Sequence, residues 1–412
     1  MKKLVFISLA FILVIGLALA GCGGTTTSTG PGTTTPAGKT EILVGAVASL
    51  TGMNAMTGEE HQWAFKQAVA DINAAGGVMV ADLGKKLPMR LIFEDDKSEA
   101  AGGAAAMETL VTLRKCDFYL GTNITPINIA AATAAEKYKV YYQINTTWLD
   151  MFGAEKFTWA TDIFTSTSAA ATGPFDVWST QPQADRPTRP AIMMEDNPDG
   201  QGFASGFRAA APKYGYTLAV DEAYTPGTKD FSSSILKFKQ ANVDALLWLG
   251  SPTDSIQLIR QIKEQQLNLK YIHGWKGFWP TEFATALGKD ANYLIHDGFW
   301  AETLPYPGNA DLAAKFKADH NGLDSVSIGL SYANVQILAK AIEKAGTLDA
   351  AKVRDTVWNG TFTGTTMGDV TYSNGLCLTP LLGLQWWDGA RMPVWPQVPG
   401  WQLKWMPPWD QR

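Results

Sequence analysis

The chain has 412 residues, with 34 Lys and Arg against 39 Asp and Glu, a formal charge of −5. No stretch gathers five or six basic side chains, and a polyanion would meet net repulsion, so nucleic acid is excluded as an expected partner. After Cys22 only Cys116 and Cys377 remain, too few for a disulfide framework or a cysteine metal site, and both are expected as buried small hydrophobes.

Lys2 and Lys3 precede an apolar run from Leu4 to Ala20, and Leu-Ala-Leu-Ala-Gly closes it before Cys22. A positive start, an apolar centre and small residues before a cysteine predict a signal peptide over 1–21 and a lipidated Cys22, hence an extracytoplasmic, membrane-anchored protein. An uncleaved anchor fits less well, because the run is shorter than the roughly 20 residues a spanning helix needs. Loss of the leader removes two lysines and no acid, moving the formal charge to −7. Residues 22–40 hold no large apolar side chain and read as a flexible tether reaching roughly 20–25 Å by coil scaling. Gly38-Lys39-Thr40 looks like a phosphate loop, but the spacing from Gly32 is one residue too long and coil precedes it.

From Glu41 onward short β-type runs alternate with helical patterns, the mark of mostly parallel sheets covered on both faces. Strands are predicted at Ile42–Val47, Met89–Glu94, Asp117–Gly121, Val140–Ile144, Ala191–Glu195, Thr217–Ala223, Ala245–Gly250, Tyr271–His273 and Gly298–Ala301. The clearest helix carries Phe65, Ala68, Val69 and Ile72 at three-to-four spacing and ends at Ala74-Ala75-Gly76-Gly77. Thr57 with Glu60 predicts a capping box at its start, and a helix N-terminus after the first strand suits an anion.

The run "VGAVASLTGMNAMTGEEHQWAFKQAVADINAAGG" from Val44 to Gly77 resembles the opening of the leucine/isoleucine/valine-binding proteins that serve ABC importers. "LIFEDDKSEAAGGAAAMETLV", "FYLGTNITPINIAAA", "EDNPDGQGFASGF" and "YTPGTKDFSSSILKFKQANVDALLWLGSPTDSIQLIRQIKEQQL" continue the likeness in order, over about residues 41–390. The resemblance implies a type I periplasmic-binding fold: two doubly wound parallel-sheet α/β lobes joined by three hinge crossings and closing over a ligand. Crossings are expected near Thr161, Ala301 and Thr365. Lobe one is then 41–161 with 302–364, and lobe two 162–301 with 366–390.

In that family polar loops of lobe one hold the ligand carboxylate, and they match Thr122 to Thr125 and Asn145 to Trp148 here. The ligand-binding set the resemblance implies is Thr57, Asn123, Thr125, Asn145, Thr146, Trp148, Asp199, Ser251, Trp275, Lys276 and Trp300. Thr57 and Asp199 stand where relatives carry aromatic rings. For Thr125 and its neighbours the alternative is a turn or helix cap bonding its own backbone. Lys276, in "YIHGWKGF", stands where amino-acid-binding relatives place an acid against the ligand ammonium. Two unit charges about 4 Å apart interact by roughly 4 kcal/mol at an effective dielectric near 20, so a free lysine there disfavours a zwitterion. An aromatic acid, a keto acid or a dicarboxylate is the expected ligand. The competing expectation has Lys276 in solvent, paired with Glu282 or Asp290. Trp148, Trp248, Trp275, Phe278, Trp279, Phe299 and Trp300 are expected near the cleft, each either as lining or as core. An indole offers apolar area and one N–H, so a cleft of Trp148, Trp275 and Trp300 would suit a flat ligand.

Residues 391–412 add Trp395, Trp401, Trp405 and Trp409 among five prolines. Regular structure is not expected there; the tail either straps a lobe or presents a docking surface. An enzyme lacks support. His61, His273, His296 and His320 are the only histidines, and neither a Gly-x-Ser-x-Gly elbow nor a His-Glu-x-x-His pair occurs. His61 and His320 are expected on exposed helix faces; for His273, near Lys276, contact with the ligand is the less favoured alternative. No cofactor and no metal are expected. The reading is a monomeric solute-binding lipoprotein that delivers a small carboxylate to an ABC permease and ATPase; the alternatives are amino-acid binding in the usual family manner, or presentation of the ligand to a sensory receptor.

Overall fold

The computed structural model describes residues 38–396 and 401–412. The expected signal peptide, Cys22 and all but the end of the tether lie outside the described residues. The body opens with β1 (Ile42–Ala48), α1 (Ala55–Ala74), a small hairpin of β2 (Val78–Val80) and β3 (Lys85–Leu87), β4 (Met89–Asp95), α2 (Ala100–Thr109), β5 (Phe118–Leu120), α3 (Thr125–Tyr138), β6 (Tyr142–Asn145), α4 (Leu149–Glu155) and β7 (Ala160–Phe164). It continues with α5 (Thr167–Ser179), β8 (Pro190–Glu195), α6 (Pro198–Ala210), β9 (Val220–Tyr224), α7 (Ser232–Gln240), β10 (Ala245–Leu249), α8 (Pro252–Glu264), β11 (Tyr271–Gly274), α9 (Thr281–Leu287) and β12 (Ile295–Gly298). Then come α10 (Asn309–Asp319), α11 (Ile328–Ala345), α12 (Ala350–Trp358), β13 (Thr361–Thr365), β14 (Gly368–Thr371), β15 (Leu376–Leu378), β16 (Leu382–Trp387) and β17 (Ala390–Trp395).

Two sheets organise these elements. The first has the order β15-β7-β6-β5-β1-β4 and is parallel throughout. The second has the order β17-β16-β12-β11-β10-β8-β9, parallel from β12 to β9 with β16 and β17 antiparallel at one edge. Parallel strands buried on both faces need helices on both sides, which the alternating pattern supplies. Of the stripe expected in α1, Phe65, Ala68 and Val69 are buried together with Ala64, and Ile72 is half-buried; removing a Phe or Val side chain from water contributes roughly 1.5–3 kcal/mol. In α8 the matching stripe is Ile256, Ile259 and Ile262.

The chain passes from the first sheet to the second after β7 and returns after β12. It crosses a third time between β15 and β16, through 379–381, not near Thr365. The difference arises because β13 and β14 pair with each other and β15 then adds to the first sheet beside β7. Three local expectations are also corrected. The helix α1 begins at Ala55 with Asn54 before it and no side-chain cap; Thr57 and Glu60 lie inside the helix, and Glu60 bonds elsewhere. The loop after β1 is tied by the protein's own Asp95, whose carboxylate accepts from Leu50 and Thr51 N–H at 3.0 and 3.2 Å. The strand expected at Gly298–Ala301 is β12, three residues earlier.

The sequence reading has no strand at β7, where Asp162 interrupts the apolar pattern. Asp162 is fully buried, and burial pushes its carboxyl well above the usual carboxylate range. The tail is more ordered than expected: Ala390–Trp395 forms an edge strand, where prolines such as Pro393 do least harm. Residues 401–412 strap the second lobe. Met406 N–H donates to Lys270 O at 3.1 Å, and Trp409 is buried with its indole N–H on Leu267 O at 2.9 Å. Cys116 and Cys377 are free and buried.

Candidate functional site: the interlobe cleft

In open α/β sheets the groups available to a ligand sit beyond the carboxyl ends of the strands. Here both sheets turn those ends toward one cleft. Lobe one contributes Asn123 and Thr125 after β5, Thr146 and Trp148 after β6, and Phe164 at the end of β7; lobe two contributes Leu249, Asp199 after β8, and Trp275, Lys276 and Trp279 after β11. These ten side chains enclose a cavity with ≈ 10 Å³ for water-sized occupants, about what a single water needs. The lobes are therefore drawn together in this form.

Asn128 holds the two lobe-one loops in place. Its Oδ1 accepts from Thr122 N–H at 3.0 Å and Tyr142 O–H at 2.7 Å, and its Nδ2 donates to Thr122 O and Thr147 Oγ1, each at 2.9 Å. Thr146 has φ +63°, a conformation that β-branched residues avoid; the loop holds it through Oγ1–H on Asn145 O at 2.6 Å. Asn123 is 3 % exposed and its Nδ2 has no partner. Buried donors in native proteins are almost always paired, so this one is poised for an acceptor in the cleft.

In lobe two, Lys276 Nζ donates to Glu195 Oε2 at 2.8 Å and to Asp199 Oδ2 at 2.6 Å, all three side chains being almost wholly buried. Burial alone would lower the lysine's pKa, but the two carboxylates outweigh it and raise the value. Glycines permit this packing. A Cβ on Gly200 would lie 1.8 Å from Glu195 O, and one on Gly277 would lie 2.0 Å from Ser255 Oγ, so no larger residue could bring α6 and the Lys276 loop this close to the sheet. The other oxygen of Asp199, Oδ1, accepts from Trp148 Nε1 at 2.6 Å, a bond that crosses from lobe to lobe.

Lys276 thus faces the cleft region, and its partners are neither Glu282 nor Asp290; Asp290 pairs with Lys263. The isolated positive charge expected there does not exist, because two anions surround one cation. Of the other expected residues, Asn123, Thr125, Thr146, Trp148, Asp199 and Trp275 line the cavity. Thr57 is buried in α1 away from it. Asn145 is tied below it to Ser331 and Asn334. Ser251 caps α8, accepting from Asp254 N–H at 3.1 Å, and Trp300 lines a different cavity. Trp248 is core, stacked on Tyr224 at 4.8 Å. Phe164 and Leu249 were not foreseen; they end strands in apolar runs that look the same whether buried or cleft-facing.

Two histidines, His61 and His320, differ from expectation. His61 is 2 % exposed, and burial lowers its pKa to about 3. His320 is half-buried beside Glu59 at 3.1 Å. His273 is buried and stacks on Trp275 at 4.3 Å, supporting the cleft wall from behind. Among the described residues no group of His, Cys, Asp or Glu could hold a metal ion, and no helix is long and apolar enough to cross a membrane.

Two α/β lobes, three crossings and a polar, aromatic cleft at the strand ends define a hinged solute-binding protein. The family model described as "Periplasmic binding protein" matches residues 41–379, and the chain belongs to that family. Its members bind small molecules outside the cytoplasm for delivery to ABC permeases. The chain is 25 % identical over 368 residues to Leu/Ile/Val-binding protein homolog 3 of Brucella melitensis, covering 85 % of this chain and 93 % of that protein. It is 26 % identical over 329 residues to the amino acid binding protein of Pseudomonas aeruginosa, covering 76 % and 82 %. In fold it is similar to the branched-chain amino acid transporter substrate binding protein of Streptococcus pneumoniae in complex with isoleucine, with TM-score 0.75, 21 % identity and coverage of 86 % and 99 %. A solute binding protein from R. palustris in complex with benzoate gives TM-score 0.74, 15 % identity and coverage of 86 % and 95 %.

Proposed function

We propose that this chain is the receptor of an ABC importer for a small organic monocarboxylate with a flat or apolar body, such as an aromatic acid or a keto acid. Anchoring through a lipidated Cys22 belongs to this proposal, since two acyl chains make attachment stable where one is marginal. The observation that carries it is the state of Asp199. Both its oxygens are already engaged, Oδ2 by Lys276 and Oδ1 by Trp148, so an incoming ammonium would have to displace one of them. Lobe one, in contrast, offers Asn123 Nδ2 without a partner and the Thr125 hydroxyl to a carboxylate, between the rings of Trp148, Phe164, Trp275 and Trp279. A dicarboxylate fits less well than the sequence alone suggested, because Glu195, Asp199 and Lys276 together carry one net negative charge.

Capture requires hinge opening. The Trp148–Asp199 bond breaks, the ligand enters against lobe one, and the lobes close on its body. A second reading rests on the same triad: with its net negative charge it does not repel an ammonium, so an amino acid bound in the usual family manner is the competing ligand. Neighbouring structures hold isoleucine in one case and benzoate in another, so the fold alone does not choose. Titration calorimetry with benzoate, 4-methyl-2-oxopentanoate and leucine decides. We expect one of the two plain carboxylates to bind at least tenfold tighter than leucine, and Asn123→Ala to weaken it by about 1 kcal/mol, the worth of one hydrogen bond. Leucine binding tightest would reject the proposal in favour of the second reading.

A further inference from the structure

A larger cavity lies away from the cleft, on the hinge face of the molecule. Its volume is ≈ 610 Å³, within the ≈ 300–1,000 Å³ of small-molecule sites. Its walls come from both lobes and from the segments that join them: Phe316 and Ile328 on the first, Leu384 and Pro393 on the second, and Trp300 and Leu304 on the second crossing. These are apolar, and most of them are buried. The polar end is formed by Arg391, whose side chain is 2 % exposed. Its terminal nitrogens are committed, one to Asp324 in an ion pair and one to Trp279 O, and its Nε–H has no partner. None of the residues lining this cavity lines the interlobe cleft; Trp279, whose carbonyl Arg391 holds, belongs to the cleft.

The chemistry selects the occupant. Asp324 also lines the cavity and balances the guanidinium, so a carboxylate or phosphate would gain little from Arg391 and would face Asp324. A cation finds Asp324 and Glu302, which are already paired with Arg391 and Lys317. A neutral molecule that buries an apolar body and offers one acceptor satisfies the orphaned N–H at no electrostatic cost, because a buried donor left unmade is expensive. We propose that the chain carries a second ligand site on its hinge face, for an uncharged apolar molecule bearing a single hydrogen-bond acceptor such as a carbonyl.

The test uses prodan, a neutral naphthyl ketone whose emission moves to the blue in apolar surroundings and to the red when its carbonyl accepts a hydrogen bond. Titrated into the full chain, it is expected to saturate at one per molecule with a blue-shifted emission. Ala313→Phe, which fills the cavity from α10, is expected to weaken binding at least tenfold; so is Leu304→Trp, on a half-buried loop where folding is not at risk. Arg391→Lys, which keeps the charge and removes the Nε–H, is expected to move the bound emission further to the blue. Absence of saturable binding would overturn the proposal. So would parental affinity in Leu304→Trp, which would put the dye elsewhere.

Discussion

Replacing Lys276 by Met leaves Glu195 and Asp199 buried without their cation. The side chains of the triad are 7 %, 3 % and 4 % exposed, so solvent does little to screen the loss, and breaking a buried pair from one side costs about 3–5 kcal/mol. With an unfolding entropy near 2.1 cal/mol/K per residue over about 370 ordered residues, that loss lowers the melting midpoint by roughly 4–6 °C. The triple variant Lys276→Met, Glu195→Gln, Asp199→Asn removes all three charges, and much of the loss should return, because a neutral polar cluster escapes the penalty of uncompensated burial. Differential scanning calorimetry of the parent, single and triple variants measures this. A Lys276→Met midpoint within about 1 °C of the parent would refute the reasoning, since it would mean that the ion triad is solvated or open in solution. A triple variant no better than the single one would assign the loss to packing of the lysine stem.

Two further outcomes follow from the lobe contacts. Trp148→Phe removes the indole N–H that bonds Asp199 across the cleft; a hydrogen bond to a charged group contributes about 1.5–3 kcal/mol, so the open form gains roughly 10- to 150-fold, and small-angle scattering of the ligand-free protein should show a larger radius of gyration, an unchanged radius counting against that bond as the closing contact. Glu60 also bridges the lobes, accepting from Ser325 Oγ at 2.5 Å and from Thr281 N–H at 3.4 Å, with Arg391 and Glu282 acting on it through space. Burial, partly offset by Arg391 and the serine hydroxyls, raises its pKa from 4.5 to about 7. The native state therefore keeps a proton that the unfolded chain releases, and stability falls as pH rises across that window, then levels off once both states are ionised, by about 3 kcal/mol in all. Glu60→Gln should remove that part of the slope in melting midpoints measured from pH 4.5 to 8, and an identical slope in both proteins would contradict the assignment.

Much of lobe one was legible because its signals are local. The three-to-four spacing in α1 and the apolar β1 and β5 reflect periods that every helix or buried strand must obey. Where the pattern failed, a buried polar residue was responsible: Asp162 hides β7, and Glu60 imitates a cap while its carboxylate reaches residues 265 and 267 positions away. The third crossing was misplaced for a related reason. A short apolar run such as Leu376–Leu378 does not announce which sheet it joins, and β13 with β14 occupied the place where the passage was expected.

The site divides along the same line. Its polar lobe-one loops were found through the family resemblance, and they follow strands whose ends any parallel sheet presents to a ligand. The partners of Lys276 were not, since Glu195 and Asp199 lie 81 and 77 residues away and residue type alone says nothing about what neutralises a charge. Sequence determined the alternating α/β pattern and the acidic balance through local periodicity and composition, and the two-lobed architecture and the residue types at the cleft through resemblance to a known family. Tertiary structure decided the sign of the field at Lys276, the bond that closes Trp148 on Asp199 and the existence of the hinge-side cavity, because each depends on distances between groups remote in the chain, to which Coulomb energy and packing respond and local pattern does not.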